Sequence, residues 1–474
     1  METNEQMKSV LRKTLEDELE RFLGQVNELA EGDLERLEEQ AVKTSQAMGR
    51  NLLEAILNSR LHEQRPQARR EGSCGHVQRL VGERPKELIT LLGKVTVVRA
   101  YYQCLPGGKP EEGRGCTHGE APADVLWGVH EQRTTKGVQC LISYLSARQT
   151  FEEAGETLCR CVPIGMSGRQ ALTLMRPVGE ALAAAEDRQV HALRAAALQA
   201  RSQTQARREQ KGIERLYIEL DGVLARMRRG SVLMEKDEQQ RKGDIYRESK
   251  AGAVFCAERG SKRSELAPGV YVDTPAEDTL RYVARRTAKG GFDWLLYQLA
   301  LHGGLEQAQQ VVVVGDGAPW IWNLAAEHFP GPCRSLISIM PKSMCGTWPT
   351  PSLEGQPHPP RPGRLLLARC SNKGRVKRSS RPIPPEPGQA RSIPERAVDY
   401  FTTNAERMRY PLFRAQGMHI GSGIAEAACK TIVSTRAKRS GMRWTPEGID
   451  ALLPLRTAVL NGAYDSFWEE EYAA

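Results

Sequence analysis

Three acidic residues stand in contexts that suit metal-assisted phosphoryl transfer. Asp221 closes the run Leu216-Tyr217-Ile218-Glu219-Leu220, Asp316 follows Val311-Val312-Val313-Val314-Gly315, and Glu426 lies just past Gly421-Ser422-Gly423. The first two end short, β-branched, apolar runs of the kind that form buried strands, and in α/β sheets ligands collect beyond the carboxyl ends of such strands. Glu426 instead opens a predicted helix over 424–435. Two strand-end aspartates and a helix-borne glutamate can converge on two divalent cations about 4 Å apart, which activate an attacking oxygen and stabilise the leaving one. An oxygen-only donor set suits hard ions, Mg2+ or Mn2+. Each residue also has a plainer reading. An Asp-Gly pair after a strand makes a turn, and Glu426 would complement the helix dipole from the first turn, with Ser422 or Gly423 as N-cap.

The elements that must position these residues are bounded by length and charge. A chain of 474 residues is long enough for roughly two to four domains. Its net charge of +9 and pI near 9.0 point to a polyanionic partner, most naturally nucleic acid. No stretch reaches the roughly 18 apolar residues of a membrane span, and residues 1–10 are too polar for a signal peptide. A cytoplasmic, nucleoid-associated protein is expected. Eleven cysteines scattered along the chain fit reduced thiols with a few metal ligands better than a disulfide framework.

Over residues 1–66, Leu11, Leu15, Leu19, Phe22, Leu23, Val26 and Leu29 recur at helical spacing among charges, predicting amphipathic helices. Residues 67–125 change to short strands, 88–92 and 94–102, turning at Gly93. Cys74, His76, Cys104, Cys116 and His118 surround them. Cys74, Cys104, Cys116 and His118 are the ligands of a possible structural Zn2+ site, although a paired Cys-x-x-Cys knuckle is missing. Residues 126–205 hold two predicted helices, 151–161 and 167–176, in helix-turn-helix spacing. Arg169, Gln170 and Thr173 lie on the reading half of the second. A polar helix or linker then leads to Asp221. Further strands are expected at 251–255 and 270–272, a helix at 282–301, and a helix starting at Pro319. In the C-terminal block Lys430, Arg436, Lys438, Arg439 and Arg443 follow Glu426. Cations beside a carboxylate suit metal-plus-phosphate chemistry.

These residues resemble a known group, the bacterial insertion-sequence transposases of the ISKra-four family, which belong to the DDE class with an RNase H-like catalytic fold. The resemblance rests on Leu220-Asp221-Gly222 and on the run from Gly315 to Asn323. It is closest from Arg407-Met408-Arg409-Tyr410-Pro411 through Gly421-Ser422-Gly423-x-x-Glu426-x-x-x-Lys430 to Lys438-Arg439-Ser440-Gly441-Met442-Arg443-Trp444. It implies an α/β chain whose RNase H-like mixed sheet, flanked by helices, is split over 206–331 and 396–474. A helical N-terminal region, a small β-module and a helix-turn-helix-like segment precede it. It also implies Asp221, Asp316 and Glu426 as the metal-binding triad, terminal inverted repeats and target DNA as partners, and a homodimer or larger assembly. No small-molecule cofactor or membrane partner is expected.

The segment 332–395 departs from the family. It is crowded with Pro, Arg and Ser and lacks periodicity. Read one base earlier, the codons for 332–349 can encode an apolar strand and an amphipathic helix. Met340 before Pro341 then forces Ala, Met344 before Cys345 forces Val, and Trp348 before Pro349 forces Ala. Two compensating frameshifts are therefore expected, with a poorly ordered insertion and an inactivated copy as the consequence; stop codons in the alternative frame of the gene would end that idea. Two other functions stay open, a DNA-binding protein without catalysis and a nuclease or resolvase on the same fold.

Overall fold

The charge-rich N-terminal sequence folds as two long helices, α1 (Glu2–Asn27) and α2 (Leu34–Glu63), packed on each other. The computed structural model describes residues 2–27, 33–63, 66–104, 116–129, 132–200, 213–231, 245–263, 271–330, 334–338, 393–420 and 423–472. The chain divides into two compact units, Met1–Met175 and Arg176–Tyr472. No helix among the described residues is long and apolar enough to cross a membrane.

In the first unit, β1 (Arg69–Glu71), β2 (Val77–Thr90), β3 (Gly93–Cys104) and β4 (Gly119–Glu120) form an antiparallel sheet in that order. The predicted strand 88–92 is only the end of β2. Leu88, Val95, Val97 and Val129 form its core, covered by Leu53, Leu57 and Leu61 of α2. Helices α3 (Pro122–Leu126), α4 (Lys136–Arg148) and α5 (Phe151–Cys161) follow, then α6 (Gly168–Ala200), whose residues from Arg176 on belong to the second unit. Both α5 and α6 begin with reciprocal caps, Thr150 with Glu153 and Ser167 with Gln170. The helix expected to stop before Pro177 runs on as α6. Ala171, Leu174, Met175 and Val178 are buried along it, as are Leu182 and Val190. Packing on both flanks offsets the roughly 3 kcal/mol of an interior proline.

The second unit is built on a six-stranded mixed sheet. Its strands are β5 (Ile213–Met227), β6 (Ile245–Arg263), β7 (Tyr271–Pro275), β8 (Arg281–Arg286), β9 (Ala308–Gly315) and β10 (Arg334–Ser338). On one side of β5 the sheet is antiparallel, β5 to β6 and β6 to both β7 and β8; on the other, β9 is parallel to β5 and β10 parallel to β9. One face is covered by α7 (Phe292–His302) and α8 (Pro319–His328), with Leu216, Ile218, Leu220, Leu296 and Ile321 in its core. The other face buries Tyr217, Phe255, Val312 and Val314 against Tyr410, Phe413 and Met418. The remaining helices are α9 (Ile393–Asn404), α10 (Tyr410–Ala415), α11 (Gly423–Cys429), α12 (Thr435–Ala437), α13 (Pro446–Leu460) and α14 (Tyr464–Phe467).

Three expectations are corrected here. Asp221 does not end its strand: β5 continues to Met227 because Val223, Ala225 and Met227 keep the inward alternation, and Asp221 pairs with Ala251. The helix predicted from 282 is strand β8 up to Arg286; Gly290 and Gly291 then break the chain before α7 starts at Phe292. The segment taken to lack strand periodicity supplies β10, paired with β9 over 334–338. Residues 339–392, where most of the frameshifted insertion was placed, lie outside the described residues, as do Gly421 and Ser422.

Candidate functional site

The parallel ladder between β5 and β9 ends at the pair Glu219–Val314. Asp221 and Asp316 each lie two residues beyond that last pair, so the register alone carries both carboxyls past the same end of the ladder. Helix α11 packs against β5 and β6 and carries exposed Glu426 in its first turn. Asp316 and Glu426 both lie close enough to Asp221 to act on its charge. Burial pushes the Asp221 carboxyl up, and the charges of Asp316, Glu426 and Glu248 push it further, against the Gly222 amide that donates to its Oδ1 at 2.7 Å. Asp316 Oδ1 accepts from the Ala318 amide at 2.8 Å, an Asx turn that fixes the carboxyl just ahead of α8.

Sequence reading missed three residues here. Glu219 lies two residues before Asp221 on the same face of β5 and is fully buried. Its Oε2 accepts from the Ala425 amide at 2.7 Å, next to Glu426. Burial raises its carboxyl to about 8. A lone glutamate inside an apolar strand was a legible signal, because a buried carboxyl requires a partner. Cys429 lies near Asp221; burial and the Asp221 charge raise its thiol to about 12, while Lys438 lowers it. Glu248 sits on β6, and a Cβ at Gly222 would lie 2.5 Å from its Oε1, so glycine leaves the room that this carboxylate occupies. Only strand register brings Glu248 near, and nothing local in the sequence marks it.

The residues expected to bind DNA separate by burial. Lys430, Lys438, Arg439 and Arg443 are exposed, with Lys430 opening a π-helical turn over Lys430–Ser434. Arg436 is corrected: it is fully buried, its guanidinium 5.3 Å from the centre of the Trp444 ring, and it cannot reach a phosphate. Trp444 in turn is stitched to the end of β5, its amide donating to Arg226 O at 3.0 Å and its carbonyl accepting from the Arg228 amide at 2.7 Å. In the first unit Arg169, Gln170 and Thr173 are exposed at the start of α6. The Gln170 side chain closes the cap with Ser167, and the Thr173 hydroxyl donates to Arg169 O at 3.0 Å.

A second cluster lies in the first unit. Cys74, Cys104 and Cys116 bring their sulfurs within 4.8 Å of one another, and no other such trio of potential ligand atoms occurs among the described residues. His76 hydrogen bonds hold the Cys74 thiol down at about 6, while burial raises Cys104 to about 11. His118, placed in this set by its sequence position, instead meets Ser73 Oγ and Glu120 Oε2, each at 3.2 Å. No protein-family model matches the chain, and no curated protein matches it significantly.

Proposed function

We propose that this chain is a DDE-class DNA transposase with an RNase H-like catalytic unit, in which Asp221, Asp316 and Glu426 hold Mg2+ or Mn2+. The observation that carries the reading is the assembly of the three carboxyls at one end of the β5–β9 pair, close enough that Asp316 and Glu426 both raise Asp221. A mixed sheet, antiparallel on one side of β5 and parallel on the other, with helices on both faces, fits an RNase H-like unit.

The donor set fits hard cations. All the donors are oxygens, and mutual repulsion leaves the group short of positive charge. When bound, such ions supply an activated attacking oxygen and neutralise the leaving one. The chain's own residues do the rest. Asp221 and Asp316 are held by rigid strands and by backbone amides, and Glu219 anchors the turn of α11 that carries Glu426. Exposed Lys430, Lys438, Arg439 and Arg443 would grip phosphates on either side of the scissile bond. Terminal inverted repeats and target DNA are the proposed substrates, bound by a dimer or larger assembly because two element ends must be joined.

The test is a strand-cleavage and strand-transfer assay with Mn2+, run on this chain, on a version with its reading frame restored between 332 and 387, and on Asp316→Asn. Products that disappear in Asp316→Asn are expected. Products from the restored chain alone would mean a disabled transposase. Nicking without joining would favour a nuclease or resolvase, and DNA binding without cleavage by either chain would sink the catalytic reading.

A further inference from the structure

The thiol cluster of the first unit is independent of the carboxylate centre and has its own architecture. Three strand ends bring it together. Between β1 and β2 the chain turns tightly, with the Gly75 amide donating to Gly72 O and the Gly72 amide to His76 O, each at 2.9 Å. Gly75 adopts φ +73, a conformation that costs glycine little, and the turn presents Cys74. Cys104 ends β3, and its amide donates to His118 O at 2.9 Å, which draws the Cys116 segment alongside. Cys74 and Cys104 sulfurs then stand 3.4 Å apart.

The surroundings suit thiolates better than an apolar trio of thiols. Gln78 is fully buried, and its Nε2 lies 3.9 Å from both the Cys74 and the Cys104 sulfur. A buried N–H aimed at two sulfurs is the kind of outer contact that stabilises metal-bound thiolates. Three thiolates packed this closely repel one another unless a cation joins them, and clustered soft sulfur ligands favour Zn2+.

We propose that Cys74, Cys104 and Cys116 hold a structural Zn2+ whose fourth ligand is His76. His76 closes the same turn as Cys74, its carbonyl accepting from the Gly72 amide at 2.9 Å, and its side chain is exposed, so the ring can swing onto the ion without unpacking anything. His118 serves differently. Its Nε2 meets Ser73 Oγ and Glu120 Oε2 while Glu120 also accepts from the Ser73 amide at 3.0 Å, and this bracing fixes the turn that carries Cys74.

The experiment uses the full chain, purified under reducing conditions, for zinc content, then chelated and titrated with Co2+. About one zinc per chain and intense sulfur-to-cobalt charge-transfer bands with tetrahedral d–d absorption are expected. In His76→Ala the Co2+ affinity should fall by about tenfold or more and the d–d bands shift. In His118→Ala the bands should stay in place. A Cys74–Cys104 disulfide in the freshly isolated chain, or weak octahedral cobalt spectra, would overturn the site. Loss of the bands in His118→Ala with none in His76→Ala would overturn the assignment of the fourth ligand. The existence of the site is read from the unmutated chain, and the two His variants decide only its fourth ligand.

Discussion

Glu219 concentrates the physical tension of the candidate site in one side chain. It is fully buried, and its carboxyl is raised from its ordinary 4.5 to about 8 by burial, opposed by the Ala425 amide. Between those two pH values the folded chain keeps a proton that the unfolded chain releases. The stability tied to this group is therefore complete below about 4.5 and lost as pH rises through about 8. Glu219→Gln keeps an oxygen for Ala425 but cannot ionise. Its denaturation free energy should fall less steeply than the parent's across that window, and superimposable slopes in urea titrations would refute the assignment. Glu186, raised to about 7 by burial against the pull of Arg285, tilts the parent in the same direction, so the comparison must be between the two slopes.

A row of polar contacts on one face of β5 explains how a strand positions a helix distant in sequence. Arg215 Nη1 and Tyr217 Oη both donate to Asp273 Oδ2 at 2.7 Å, and Arg215 Nη2 donates to Gln416 O at 2.8 Å. The His419 amide donates to Tyr217 Oη at 3.0 Å, and the Ala425 amide to Glu219. Alternation along the strand thus presents Arg215, Tyr217, Glu219 and Asp221 in sequence to the segment that ends in Glu426. Arg215 and Asp273 are both buried, and removing one partner strands the other charge. Asp273→Ala should cost about 3–5 kcal/mol in chemical denaturation and, on the proposed transposase reading, lower DNA cleavage by displacing Glu426. A loss below about 1 kcal/mol, the range of an exposed pair, would refute this role. The π-helical turn after α11 begins at Lys430, immediately after Cys429; such turns recur at functional sites, and this one re-phases the helix face beyond Lys430.

At the scale of the whole molecule, an excess of +9 should express itself as salt-sensitive DNA binding. Lys438→Ala and Arg443→Ala should each flatten the plot of log affinity against log salt by about one unit. Arg436→Met should leave that slope alone and lower stability instead, because its guanidinium is in the core. Equal slopes for all three variants would remove these exposed cations from the interface. The sequence by itself carried whatever rests on local pattern: the apolar runs that became β5 and β9 and the proline start of α8. It misjudged Pro177 and the strand at 281–286, where packing against distant elements outweighed local propensity. Tertiary structure alone decided that Asp221 lies within a strand rather than in a turn, that Arg436 is core, and that Glu219, Glu248 and Cys429 surround the acids. The physical reason is that burial and charge proximity depend on strand register and on contacts between residues about 200 positions apart, such as Glu219 with Ala425, whereas periodicity reports only on neighbours within a few turns.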